Sequence, residues 1–174
     1  MSEHSVRLVE VSLTAAEASR RAPVVTAWLL ERGVIAANDS WDPLMAPSEF
    51  QAGPGSSSVC SSAVAGPNTG VDVVVERRVH HAGGNYEPPA CPGCGSAVPD
   101  HLDLIEPWLC TGVEPSVRCA CGLSTSAGDL VGVWACHVGE LAVVFHNWPV
   151  PAPAFVTALS AVMGPRTRVV IGRT

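Results

Sequence analysis

The chain has 174 residues, 47% of them apolar and 15% charged, which suits one domain with a real core and excludes a chain disordered throughout. Ten Arg stand against 16 Asp and Glu, a net charge of −6, which excludes a protein that coats nucleic acid by bulk charge. There is no Lys, so a P-loop lysine, a Schiff base to PLP and a lysine general base are excluded as well.

In chain order, Val6, Leu8, Val9 and Val11 predict a first strand. Thr14 and Glu17 then fit a capping box, and the helix they open should run to about Arg32, with Gly33 as its C-terminal cap. Pro23 either kinks that helix or opens a second one whose face is Val25, Trp28 and Leu29. Val34, Ile35 and Ala36 form the next short strand. Residues 53–70 hold 13 Gly, Pro, Ser, Asn or Thr among 18, which predicts a long surface loop carrying Cys60 as an ordinary thiol. In 71–79, Val71, Val73, Val75 and Val79 alternate with Asp72, Glu76 and Arg78, the clearest strand pattern in the chain. Segment 126–138 fits a helix start at Ser126 or an alternation through Val131, Val133 and Ala135. Leu141, Val143 and Phe145 alternate on a strand. Pro151 and Pro153 precede a helix with Phe155, Leu159 and Val162 on one face, which Gly164 and Pro165 stop, and Arg168 to Ile171 is the last strand.

This order predicts an α+β fold. Two β-α-β halves would form a mixed sheet with helices on one face, a ferredoxin-like arrangement, and a cysteine region would be inserted between strands. The divisions are a first half over 1–38, the Gly/Pro/Ser-rich loop over 39–70, a sheet strand over 71–87, the cysteine insertion over 88–126 and a second half over 127–174.

Cys91-Pro-Gly-Cys94-Gly95 is followed after 24 residues by Cys119-Ala-Cys121-Gly122. Two close cysteine pairs, each trailed by a Gly that permits φ > 0, are what a tetrahedral Zn²⁺ site needs. Four thiolates close the coordination shell, so the chemistry is structural and not hydrolytic. Residues 90–124 resemble a zinc ribbon, and that resemblance implies knuckles on β-hairpins. The spacing of Cys119 and Cys121 is one residue short of the ribbon pattern, which leaves Cys110 or His101 open as a replacement ligand. The whole chain is similar to uncharacterised bacterial proteins with a central ribbon and a Trp-Pro-rich stretch, here Trp148 to Phe155.

Competing chemistries fit less well. A redox Cys-x-x-Cys needs a helix N-terminus, which Gly95 and Pro99 do not start. The spacings do not match the common iron–sulfur runs, and a zinc deaminase needs a His-x-Glu that is missing. His80 and His81 are neighbours on a strand and point to opposite faces, and Cys136 and His137 diverge in the same way. His146 reads as a rim histidine with a partner. Gly-x-Ser-x-Gly, His-Glu-x-x-His and Gly-x-Gly-x-x-Gly do not occur.

The sequence therefore predicts a cytoplasmic, non-enzymatic zinc module that binds a protein partner. Its N-terminus has no signal-peptide pattern, and the chain has no run long enough to span a membrane. Trp41 and Trp108, beside prolines, are the interface candidates among five Trp. Nucleic-acid binding is the weaker alternative, because residues 90–124 hold one cation, Arg118, against Asp100, Asp103, Glu106 and Glu114. An enzyme without recognisable motifs is the third reading.

Overall fold

Strand β1 (His4–Glu10) lies inside a six-stranded sheet whose order is β2-β3-β4-β7-β1-β8. The structure is a computed structural model that describes residues 4–38, 48–60, 62–64 and 69–173. The other sheet strands are β2 (Ile35–Ala37), β3 (Phe50–Ala52), β4 (Gly70–His80), β7 (His137–His146) and β8 (Thr167–Arg173). A separate hairpin pairs β5 (Ser116–Arg118) with β6 (Ser124–Ser126). The helices are α1 (Ala15–Glu31), α2 (Leu102–Thr111) and α3 (Pro153–Met163).

The expected pair of β-α-β halves in a mixed, ferredoxin-like sheet with helices on one face does not hold. Every ladder in the sheet is antiparallel. The strands of the two expected units, β1 and β2 around α1 and β7 and β8 around α3, do run the same way, but they are not neighbours. Strands β7, β4 and β3 stand between β1 and β2, and β1 stands between β7 and β8. The order strand-helix-strand is readable from hydrophobic period, whereas the strand that slips in between is set by non-local pairing. The helices also divide between the faces: α1 and α3 pack together on one, and α2 covers the other.

Alternation along the strands feeds these two layers. Val6 and Leu8 of β1 and Leu141, Val143 and Phe145 of β7 face α1 and α3, meeting Ala18, Val25, Leu29, Phe155, Leu159 and Met163. Val9, Ala142, Val144 and Val170 face the other way, toward Ile105 and Trp108 of α2. Each fully buried aliphatic or aromatic side chain contributes about 1.5–3 kcal/mol, so both layers stabilise the sheet. Trp148 is 1% exposed and packs its ring against Phe145 at 5.1 Å between centroids.

Helix α1 starts as the sequence predicts. Thr14 caps it, accepting from the Glu17 N–H, while the Glu17 carboxylate accepts from the Thr14 N–H at 2.8 Å. The helix runs through Pro23 unbroken. Pro23 and Ser19, whose carbonyl Pro23 cannot bond, are both exposed, so that carbonyl is free to meet water.

Two regions differ from the sequence pattern. In β4, Val75 pairs with Leu141 and Arg78 with Gly139, so the strand carries one extra residue there. The bulge exchanges the faces: Val71 and Val73 serve the α1 side, but Val79 joins Val74 on the α2 side. The Gly/Pro/Ser-rich stretch also contributes to the core. Phe50 and Val59 are 9% exposed, Cys60 bridges to Pro151, and the Ala152 N–H donates to the Val59 carbonyl at 2.8 Å.

Candidate metal centre

Cys91 and Cys94 sit on a turn closed at its base by the bridge from Ala90 to Ala97. The Gly95 N–H donates to the Cys91 carbonyl at 2.8 Å, and the Cys91 N–H donates to the Ser96 carbonyl at 2.9 Å. Gly95 takes φ +73, the left-handed geometry that lets this turn close. The Gly93 N–H points at Cys91 Sγ, 3.4 Å away. Cys119 and Cys121 occupy the loop between β5 and β6, where the Gly122 N–H donates to the Cys119 carbonyl and the Cys119 N–H to the Leu123 carbonyl, both at 2.9 Å. Gly122 takes φ +90. The second turn is thus a hairpin knuckle, as the ribbon resemblance implies. Helix α2 fills the chain between the two knuckles, which the sequence pattern did not show.

The four sulfurs meet. All lie within 4.8 Å of one another, with Cys94 Sγ 3.5 Å from Cys119 Sγ and Cys91 Sγ 3.9 Å from Cys121 Sγ. A tetrahedron with metal–sulfur bonds of about 2.3 Å has sulfur–sulfur edges of about 3.8 Å, so the group fits one ion. Cys110 is exposed on α2 and His101, just before that helix, is buried; neither joins the group. The one-residue spacing of Cys119 and Cys121 therefore still brings both sulfurs in.

The four sulfurs perturb one another's ionisation. The Ser96 hydroxyl, 3.3 Å from Cys94 Sγ, and the Ser96 backbone pull the Cys94 thiol down to about 6. At Cys119 the Cys121 backbone favours the thiolate, but the side chains of Cys121, Cys94 and Cys91 outweigh it and push the thiol up to about 12. Like charges this close cannot all form unless a positive ion is shared among them. Cys91 is 1% exposed and roots the group, whereas Cys94 and Cys121 face solvent.

The segment is fastened to the sheet at its far end. Arg166, just before β8, binds Glu114 ahead of β5 and Asp129 behind β6, and Arg168 reaches the same Asp129 at 2.5 Å. Sequence reasoning missed this clamp because its partners are 37 to 52 residues apart. The other candidates fall elsewhere. Trp108 is 3% exposed in the α2 core and is no interface residue, and Trp41 lies outside the described residues. His80 is buried and His81 exposed, as strand alternation predicts. His146 Nε2 sits 2.8 Å from Asp72 Oδ2.

No protein-family model, curated protein or solved structure matches the chain. Among the described residues, no helix is long and apolar enough to cross a membrane.

Proposed function

We propose that the protein is a non-enzymatic module in which Cys91, Cys94, Cys119 and Cys121 hold a structural Zn²⁺, and that it binds a protein partner through the surface around this site. The observation that carries the reading is the convergence of four sulfurs at tetrahedral spacing with no position left open. Soft thiolate ligands select Zn²⁺ over Mg²⁺, Ca²⁺ or Mn²⁺. An iron–sulfur cluster would spread its cysteines around several irons, farther apart than these sulfurs stand.

Charge and exposed apolar surface favour a protein over nucleic acid as partner. A Zn²⁺ with four thiolates carries about −2, and Asp100, Asp103 and Glu106 add to it against Arg118, whereas Glu114 is balanced by Arg166. Phosphate backbones need the opposite sign. Leu123 is 38% and Val131 58% exposed. Leu123 stands against Gly93 of the first knuckle, and Val131 bonds Ala90 at its base. The two therefore offer apolar contact beside the metal site.

Immobilised protein challenged with extract of its own cells tests the reading. Capture of a protein that survives nuclease and moderate salt, and is lost in Leu123→Asp with Val131→Asp, is expected. Capture that depends on nucleic acid and falls steeply with salt would replace it with the nucleic-acid alternative.

A further inference from the structure

The bulge in β4 sets a half-used ion pair on the wall of a cavity. Glu76 and Arg77 together stand opposite the single Glu140 of β7, because Val75 pairs with Leu141 and Arg78 with Gly139. Bulges re-aim side chains, and here Arg77 meets the end of α2. A Cβ at residue 112 would collide with Arg77 Nη1, so Gly112 makes room for the guanidinium. Arg77 Nε donates to Glu140 Oε1 at 2.6 Å, and Nη2 reaches the same oxygen at 2.5 Å. Glu140 is 7% exposed, yet it gives Arg77 only this one oxygen. Among the described residues, Glu140 Oε2 and Arg77 Nη1 have no hydrogen-bond partner.

The cavity measures about 190 Å³ and lies where the turn from β1 to α1, strand β7 and the end of α2 meet. Arg77 and Glu140 form one charged wall, and Arg166 and Glu114 form another. The second wall has nothing to spare, since both Glu114 oxygens accept from Arg166 and one also from the Gly128 N–H. Val11, Val138 and Trp108 supply the apolar lining. A nearly buried carboxylate with a free oxygen calls for a cationic donor. The free arm of a guanidinium calls for an anionic acceptor. The lining charges cancel, two arginines against two glutamates, so a ligand of single charge would bring an uncompensated charge into the cavity.

We propose that this cavity binds a small zwitterion of the α-amino-acid class with an apolar side chain. Its ammonium donates to Glu140 Oε2, its carboxylate accepts from Arg77 Nη1, and its side chain lies along Val11, Val138 and Trp108. The volume falls below the roughly 300–1,000 Å³ of sites for drug-sized ligands, which keeps the occupant small. The site uses none of the four cysteines and stands independently of the zinc reading.

Titration calorimetry of the whole protein with L-leucine at fixed ionic strength tests the proposal. Two further arms use isocaproate, which lacks the amino group, and isoamylamine, which lacks the carboxylate. Saturable uptake of one leucine per chain is expected, with each analogue weaker by about tenfold or more. In Glu140→Gln the preference for leucine over isocaproate should vanish while that over isoamylamine remains. In Arg77→Gln the reverse should hold. Absent saturation with leucine, equal binding of either analogue by the wild type, or variants that weaken all three ligands alike would overturn the assignment.

Discussion

Arg166 binds Glu114 through both arms of its guanidinium, Nη1 to Oε2 and Nη2 to Oε1, each at 2.7 Å. The pair joins the last sheet strand to the knuckle-bearing segment. Glu114 also accepts from the Gly128 N–H at 2.7 Å, so one carboxylate fastens both flanks of the β5–β6 hairpin. The side chains are 26% and 18% exposed, which puts the pair between a surface bridge and a buried one.

Glu114→Ala removes this carboxylate and leaves the guanidinium with Asp129 alone. A charged hydrogen-bonded pair of this kind contributes about 1.5–3 kcal/mol, so the denaturant midpoint should fall by about 2 kcal/mol equivalent. The β5–β6 amides should also exchange faster with solvent. An unchanged midpoint would show that the clamp is not needed to dock the hairpin.

Acid should destabilise the protein above the carboxylate range. Burial, aided by neighbouring arginines at His80 and by His101 at His137, holds His80, His101 and His137 at about 3, 4 and 3, against an ordinary value of 6.5. The folded state keeps these rings neutral while the unfolded chain takes up protons below 6.5. Stability is therefore full above 6.5 and falls as pH drops toward 4, by up to about 1.4 kcal/mol per pH unit for each ring. Denaturant midpoints between about pH 7 and pH 5 read this directly. A His137→Phe variant should flatten the slope, and a midpoint independent of pH over that window would contradict the account.

Val59→Ala tests the Gly/Pro/Ser-rich stretch. Val59 is 9% exposed and packs into the α1–α3 layer, so the truncation should cost about 1.5 kcal/mol. A solvent loop would show no change in the unfolding midpoint.

What the sequence made legible follows from range. The Thr14–Glu17 cap, the α3 start at Pro153 and the two knuckle glycines are local devices, each written within a few residues. The four ligand candidates were legible for the same reason, since each cysteine pair closes its own turn. The β4 bulge, the β1 pairings with β7 and β8, and the core role of Val59 depend on partners from 61 to 169 residues away, where composition carries no signal. Helix α2 was missed because Pro107 lies inside it and its apolar face, Ile105 and Trp108, is only one turn long. Trp108 beside a proline looked like a loop tryptophan and is instead the centre of the second core layer.

Metal content per chain is the most direct test of the central claim. Purified wild-type protein should carry one Zn²⁺, and Cys110→Ser and Cys60→Ser should keep it. Cys94→Ser and Cys121→Ser should each release it, and because structural Zn²⁺ contributes on the order of 10 kcal/mol in small modules, the knuckle segment should unfold locally while the sheet survives. Metal-free wild-type protein with a Cys91–Cys94 disulfide, or zinc retained in Cys121→Ser but lost in Cys110→Ser, would contradict the four-cysteine site.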